Sequence, residues 1–336
     1  MLRRHPSHPT RALVATVVAT GVVACGALLA TAPQWVGLAG SRPFVWTVPF
    51  RLPVALGTAA LAGVAGLAGL RFRRVLPAAL VLAVAAGTSL AVTLGRGAGA
   101  GELPPAAPGD VTVLAANVFV AAADPAAVAA LALRDNADAV SLPESTQAYA
   151  DDVAARIEAG GGARMQVFFA ADRGDGRGTY GTALLVSEAL GTYRPTGELA
   201  NGFKAVVTAA PVSGRGPVLA AAHTAAPVTA LLPQWRRETA AVAAWCAATP
   251  GALLAGDLNA TLDHPGLRLS GSCVDAGRET GTGARGTWPA RVPAALGATI
   301  DHALADGDAW RAVGSRVEAL RGSDHRALVT RWRPVG

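Results

Sequence analysis

Six short stretches of this 336-residue chain place a side chain capable of acid–base or ligand chemistry at the end of an apolar run. "VTVLAAN" ends at Asn117, "ADAVSLPE" at Glu144, "PVLAAAH" at His223, and "ALLAGDLN" at Asp257 and Asn259. "GATIDHAL" carries Asp301 in its body, and "GSDHRALV" presents Asp324 and His325 just as a run begins. An ionised carboxylate accepts hydrogen bonds, a carboxamide accepts and donates, and an imidazole changes charge near neutral pH. These are the types that move protons at a reacting centre. Asp and Asn also start turns, which accounts for any one polar strand end. Six such ends from distant segments fit a site better, because open α/β folds gather side chains at strand ends.

The histidines near these stretches serve as controls. His264 follows Asp263 in a polar loop and reads as a surface residue. His302 alternates away from Asp301 along its strand and reads as structural.

The elements that must position these residues are short β-type runs alternating with Ala-rich helical stretches. Strands are expected at 111–117, 138–142, 164–170, 180–187, 203–210, 217–223, 251–257, 299–304 and 326–332, and helices at 124–135, 145–159 and 229–248. Asp124-Pro125 opens the first helix as a cap followed by a first-turn proline. Runs such as "GALLAG" are apolar on both faces, which suits sheets covered on both sides. The expected fold is a layered α/β sandwich over 111–336, with no internal repeat.

Residues 1–95 differ in kind. Three apolar segments, about 11–32, 54–70 and 75–94, match or approach the roughly 20 residues that a membrane-spanning helix needs. The second is marginal, and its Gly63, Gly66 and Gly69 suit close helix packing. No charged face is available to meet water, which argues against a soluble bundle. "ATA" at 30–32 and "VVAC" at 22–25 resemble processing sites, but Pro33 follows the first, and the apolar run continues past Cys25 in the second. Residues 96–110 are Gly/Pro/Ala-rich and read as a linker.

Charge divides the chain the same way. Residues 1–100 carry nine Arg and no acid, so the remaining 20 basic residues against all 23 acidic ones leave −3 on the rest. The overall +6 therefore argues for no basic nucleic-acid face on the second part. Arg3, Arg4 and Arg11 in the tail, with Arg71, Arg73 and Arg74 between spans two and three, outnumber Arg42, Arg51 and Arg96 on the other side. That bias puts the tail inside and residue 95 onward outside the cytoplasm. Cys246 and Cys273 could pair there, though two thiols make no framework.

The stretches "LAANV" (114–118), "LPES" (142–145), "AAAHT" (220–224), "AGDLNAT" (255–261), "ATIDHAL" (298–304) and "GSDHRAL" (322–328), in this order, resemble the endonuclease/exonuclease/phosphatase superfamily, the deoxyribonuclease I-like fold. The three-span N-terminus resembles a membrane-anchored bacterial branch of it. The resemblance implies a four-layer α/β sandwich, two packed mixed β-sheets flanked by helices, here preceded by three transmembrane helices. It also implies Glu144 as principal ligand of Mg²⁺, or Mn²⁺ in its place, with Asn117 beside it. His325, oriented by Asp301, would be the general base or would stabilise the phosphate. Asp257 would align or activate water, and Asn259 and His223 would donate to phosphoryl oxygens. Asp324 would complete the acidic side, or hold a second metal.

The pattern departs from the family in two places. Pro143 stands where the family commonly has Gln before the metal-binding Glu. The domain has a single Lys, Lys204, whereas a nuclease would want a basic strip. "ARGTWPAR" at 284–291 offers Arg285, Trp288 and Arg291 as a substrate rim, or else a Trp packed under a loop. The implied function is a membrane-anchored, extracytoplasmic, metal-dependent phosphoesterase acting on nucleic acid, a lipid head group or a soluble ester. The alternatives are a catalytically silent phosphate-binding domain, a membrane scaffold, or a cytoplasm-facing nuclease if the topology is inverted. No protein partner is expected.

Overall fold

The computed structural model describes residues 9–172, 180–197, 199 and 205–336. The tail residues Arg3 and Arg4, and Lys204, lie outside the described residues. The chain divides into two units, Met1–Thr93 and Leu94–Gly336.

The first unit is helical, with α1 (Pro9–Thr31), the short α2 (Phe44–Thr47), α3 (Arg51–Arg71) and α4 (Leu76–Arg96), whose last residues belong to the second unit. Among the described residues, three stretches are long and apolar enough to cross a membrane: Ala12–Thr31, Phe44–Arg71 and Arg73–Arg96, with mean hydropathies of 2.3, 1.7 and 2.2. The stretch that reads as marginal is therefore longer than its apolar run. α3 starts at Arg51 because Pro53 falls in its first turn, where a missing N–H breaks no intrahelical bond. The expected glycine packing is realised at Gly69, where a Cβ would meet Leu76 Cδ2 at 2.2 Å. Beside Gly63 and Gly66 the space is open among the described residues.

The second unit contains two mixed sheets. The first runs in the order β1 (Gly101–Glu102), β12 (Trp310–Ala319), β13 (Arg326–Pro334), β2 (Val111–Ala115), β3 (Ala139–Ser145), β5 (Gly181–Ser187), β4 (Met165–Ala171). The second runs β10 (Cys273–Asp275), β11 (Asp301–Asp306), β9 (Ala252–Asp257), β8 (Val218–His223), β7 (Ala205–Pro211), β6 (Tyr193–Pro195). The pairs β2–β3 and β8–β9 are parallel and the other neighbours antiparallel. Val111, Leu184, Leu219, Leu253, Trp310 and Trp332 pack between the sheets. Ser141 bridges them by donating to the Ala255 carbonyl at 2.8 Å. The outer face of the first sheet is covered by α5 (Pro125–Asp135) and α6 (Gln147–Ala159), through Leu114, Val140, Val153 and Ile157. α7 (Leu232–Ala248) packs on the second sheet, with the short α8 (Ala276–Thr280) at its edge. This is the two-sheet sandwich flanked by helices, preceded by three long apolar helices.

Local chemistry explains the boundaries. Asp124 Oδ1 accepts from Ala126 N at 3.0 Å to open α5, which stops at Asn136 in the left-handed region. Thr146 Oγ1 caps α6 through Tyr149 N at 3.1 Å. The stretch that reads as a linker is tied to the domain. β1 pairs with β12, Arg331 donates to the Pro104 carbonyl, and Arg333 holds Asp110 at 2.7 and 2.8 Å. Cys246 on α7 and Cys273 on β10 form a disulfide with Cα atoms 5.5 Å apart.

His264 corrects the sequence reading. It is only 1% exposed, because Trp235 on α7 packs edge-on against its ring at 4.9 Å and its Nδ1 accepts from Thr261 N at 2.9 Å. His302 is buried as expected, between Asp275 at 2.8 Å and the Ala260 carbonyl at 2.9 Å.

Candidate active site

The polar strand ends converge. Pairing puts His223 of β8 and Asp301 of β11 on either side of Asp257, at the end of the central strand β9. Gly256 precedes Asp257 at φ +152, where a Cβ would lie 2.0 Å from the Ala222 carbonyl oxygen. Only glycine lets β8 and β9 close up at that point. From the first sheet, Asn117 follows β2, and Asp324 and His325 precede β13. Glu144 sits in a β-bulge between Pro143 and Ser145, at φ 58. A bulge re-aims the side chain it carries.

Asn117 is the hub. Its Nδ2 donates to Glu144 Oε1 at 3.1 Å and to Asp257 Oδ2 at 3.0 Å, and its Oδ1 accepts from Phe119 N at 2.9 Å. Glu144 Oε2 accepts from Val120 N at 3.1 Å, across a loop in which Phe119, Val120 and Ala121 all take positive φ. Three such residues in succession, one of them β-branched, are costly, and costs of this kind persist where the surroundings enforce them. His223 Nε2 lies 3.8 Å from both Glu144 Oε1 and Asp257 Oδ2.

On the other side, His325 Nδ1 and Asp301 Oδ2 are 2.8 Å apart. His325 Nε2 faces Asp257 Oδ2 at 3.7 Å and Asp324 Oδ1 at 4.0 Å. Both ring nitrogens therefore look at carboxylates, an arrangement that a doubly protonated ring satisfies. Burial opposes the cation, but Asp301, Asp257 and Asp324 outweigh it and push the His325 pKa up to about 10. Asp257 is raised to about 7. Burial is the main cause, the Asp301 and Glu144 charges add to it, and His325 and the Asn259 N–H oppose it. Asn259 is fixed by its N–H to Asp257 Oδ1 at 2.8 Å, its amide to the Thr224 carbonyl at 3.1 Å, and its own carbonyl on Trp235 Nε1 at 2.9 Å.

Among the described residues, two groups of side chains have the composition and proximity to hold a metal ion: Glu144, His223 and Asp257, and Asp257, Asp301 and His325. Within each, the ligand atoms lie inside 4.8 Å of one another. In the second, Asp301 and His325 are already engaged with each other. The first, with Asn117 against it, is the better fit for a hard divalent cation, since it offers carboxylate oxygens and one imidazole. Of the residues expected to hold metal, Glu144 and Asn117 are therefore together, and Asp324 stands apart on the His325 side. Its Oδ2 accepts from Trp288 Nε1 at 3.1 Å. His223, expected as a hydrogen-bond donor, joins the donor group.

The rim residues divide. Trp288 reaches the site through Asp324. Arg285 is half-buried with no hydrogen-bond partner on its Nε, and lies close enough to Arg326 to depress the latter's pKa, after burial. Arg291 is exposed, and among the described residues no hydrogen bond or ion pair ties it to the cluster. Sequence reasoning missed the supports. Ser323 Oγ donates to the Asn117 carbonyl at 2.7 Å and accepts from His325 N at 3.0 Å. Thr287 Oγ1 accepts from Ile300 N and Asp301 N at 3.1 Å each. Arg326 holds the carbonyls of the 286–292 loop. The one sequence signal was position, since Ser323 and Arg326 flank Asp324-His325.

The family described as Endonuclease/Exonuclease/phosphatase matches residues 114–325, which begins just before Asn117 and closes on His325. No curated protein matches the chain in sequence at a significant level. Among solved structures, the endonuclease/exonuclease/phosphatase from Beutenbergia cavernae superposes with a TM-score of 0.53 at 20% identity, over 68% of this chain and 72% of that one. D. rerio TDP2 humanized by 14 mutations superposes at 0.51 with 16% identity, over 67% of this chain and 99% of its own. D. rerio TDP2 complexed with a single strand DNA product gives 0.51 and 15%, with the same coverage. Likeness at these identities is a likeness of fold.

Proposed function

This chain belongs to the endonuclease/exonuclease/phosphatase family, and we propose that it is a membrane-anchored, Mg²⁺-dependent phosphodiesterase working outside the cytoplasm. The observation that carries the reading is the donor group Glu144, His223 and Asp257 beside an Asp301–His325 pair closed at 2.8 Å.

Glu144, His223 and Asp257 would hold the cation, with Asn117 steadying both carboxylates. Bound there, Mg²⁺, or Mn²⁺ in its place, would neutralise charge on the phosphoryl group. The protein's own residues divide the remaining work. His325, kept cationic and fixed at Nδ1 by Asp301, presents its Nε2–H to a phosphoryl oxygen, which favours the stabilising role over the general-base role. Asp257, one of the three cation donors and 3.7 Å from His325 Nε2, would align the attacking water. Asn259, pinned by Thr224 and Trp235, has a second amide hydrogen to offer the developing charge. Asp324 sustains the His325 cation and anchors Trp288. Arg285 and Trp288, with Arg291 further out, form the rim that meets the rest of the ester.

The net charge of −3 on residues 101–336 supports a phosphodiester that needs no long basic track, because phosphate contacts dominate duplex affinity. Outward orientation is supported by the Arg bias and by the Cys246–Cys273 disulfide, which persists in oxidising compartments.

The test uses the full chain in detergent, with bis-p-nitrophenyl phosphate and Mg²⁺. Glu144→Gln and His325→Ala should each lower kcat by about 10²–10⁴, and EDTA should abolish turnover. Hydrolysis that survives EDTA and both variants would overturn the reading. For orientation, Glu102→Cys in a Cys25→Ala background should label with an impermeant maleimide from outside intact cells. Gly101 is unsuitable for that probe, because a Cβ there would lie 2.0 Å from the Ser315 carbonyl oxygen.

A further inference from the structure

The loops that carry the catalytic cluster also carry most of the large apolar side chains that the sandwich exposes. Beyond Arg96, eight such side chains are exposed among the described residues, and six of them lie at the end of the sandwich where the cluster sits. Phe119 and Val120 follow Asn117, and Tyr180 precedes Gly181, which pairs with Ser145 beside Glu144. Val228 and Leu231 lie on the connection from His223 to α7, and Leu296 on the loop that carries Trp288 and runs into Asp301. Only Val212 and Val335 are at the other end, just beyond β7 and β13. Apolar residues scattered singly over a surface need no explanation, but a concentration of them marks an interaction site.

The backbone holds these side chains outward. At Phe119 and Val120 the N–H groups turn in, onto Asn117 Oδ1 and Glu144 Oε2, while the side chains stay 44% and 45% exposed. Gly or Asn would present the same amides at positive φ with less strain, so the amides alone do not account for Phe and Val here. The connection after His223 is pinned at its base, where Ala225 N donates to the buried Glu238 at 2.5 Å, yet Val228 is 51% exposed. Arginines stand among the apolar residues: Arg236 and Arg237 in the second turn of α7, and Arg291 on the Trp288 loop, all exposed. Exposed Phe and Leu mixed with Arg is the composition of elements that lie among lipid head groups.

We infer that the substrate is a phospholipid, whose phosphodiester enters the cluster while the hydrocarbon next to it lies on the rim formed by Phe119, Val120, Val228, Leu231 and Leu296. The inference deepens the phosphodiesterase reading and rests on it. Water adds to phosphorus, one P–O bond breaks, and the departing alcohol takes up the proton that the water gives up, so a diester becomes a monoester and an alcohol. The chemistry of the rim selects the substrate. Bases of a nucleic acid could stack on Phe119 or Tyr180, but Val120, Val228, Leu231 and Leu296 have no ring face to offer them. A small soluble ester would leave those four side chains in water. An acyl-bearing diester covers them and fills the phosphoryl site at once.

The experiment takes the full chain in a non-ionic detergent with Mg²⁺ and compares dihexanoyl phosphatidylglycerol with glycerophosphoglycerol, the same diester without acyl chains. A single-stranded oligonucleotide and bis-p-nitrophenyl phosphate are run beside them. The acylated diester should have a kcat/KM higher by at least about tenfold, which burial of about two methylenes suffices to give. Release of diacylglycerol or of phosphatidate would each count as its cleavage. Val228→Asn with Leu231→Asn, and separately Leu296→Asn, should shrink that ratio and leave bis-p-nitrophenyl phosphate turnover unchanged. Asn at 231 suits the residue that precedes α7. Retained turnover of the small diester shows that a variant is folded, and either variant decides if the other is not. Equal kcat/KM on the two glycerol diesters, a ratio unchanged in the folded variants, or an oligonucleotide cleaved in preference to the lipid would each overturn the inference. So would a dimer in gel filtration that the substitutions dissolve while the ratio stays the same. Wild type that turns over bis-p-nitrophenyl phosphate without an acyl preference would sink this inference alone. Wild type that turns over none of the four would sink the phosphodiesterase reading, and this inference with it.

Discussion

Arg326 is buried and donates to the carbonyls of Gly286, Pro289, Ala290 and Val292, which makes one guanidinium the frame of the loop that carries Trp288. Arg326→Met keeps the stem and removes the donors, leaving four carbonyls to find others. The expected cost is on the order of 2–4 kcal/mol, with faster proteolysis within 286–292 and a raised KM. Arg326→Lys should not rescue, because a single ammonium lacks the planar fork. Unchanged protease resistance in Arg326→Met would refute this. At this scale the sequence was partly legible. Asn117, Glu144, Asp257 and His325 could be read because each ends or begins an apolar run, and Asp301 because it interrupts one. His264 was misread because its own neighbours are polar, and its burial comes from Trp235, 29 positions earlier. Ser323, Thr287 and Arg326 act on main-chain groups, and that role leaves no spacing signal.

Elements were legible where burial is continuous along the strand and opaque where it is mixed. The strands of both sheet centres are nearly all buried, so they read as apolar runs. The long strand β12, "WRAVGSRVEA", mixes exposed and buried positions around an irregularity at Gly314, and neither period survives that. β11 supplies a prediction of its own. The His302 ring faces Asp275 through Nδ1 and the Ala260 and Thr299 carbonyls through Nε2. Burial disfavours the cation, but the Asp275 carboxylate, the Ala260 carbonyl and the Asp301 charge outweigh it and raise the pKa above the ordinary value. A raised folded pKa means that protonation favours the fold. The contribution is complete below about 6.5 and disappears as pH rises through the folded value. His302→Gln should flatten the fall of the melting temperature above pH 6.5 relative to wild type. Parallel pH profiles for the two would refute it. His325 contributes to the same window, so the difference between profiles, not the absolute slope, isolates His302.

For the whole molecule, composition was the most informative signal. The uneven placement of acids separated a helical, acid-free first unit from a sandwich that carries every carboxylate. The sandwich could be recognised from motif order, but the tying of residues 97–110 to β12 and Arg333 could not, because Gly/Pro-rich composition reads the same whether or not it is pinned. The disulfide was open in the sequence and is present in the fold. On the chain-entropy view, closing a loop between cysteines 27 positions apart contributes about 3.5 kcal/mol, or roughly 7–14 °C for a domain of this size. Cys246→Ser with Cys273→Ser, or reduction of the wild type, should lower the melting temperature by that amount. No change on reduction would show that the bridge is absent in solution.

The positions of the two cysteines along the chain also bear on biogenesis. Both precede Asp301 and His325, and β10 has β11 as its strand partner. On the proposed outward topology, the thiols at 246 and 273 emerge before the strand that β10 must pair with and before His325. The covalent link can then close on an unfinished sheet, with α7 and β10 already fastened as β11 and β13 arrive. Oxidation that runs ahead of translocation would assist assembly if that pair is native-like and trap the chain if it is not. Pulse-labelled secretion intermediates arrested after residue 273 would distinguish the two.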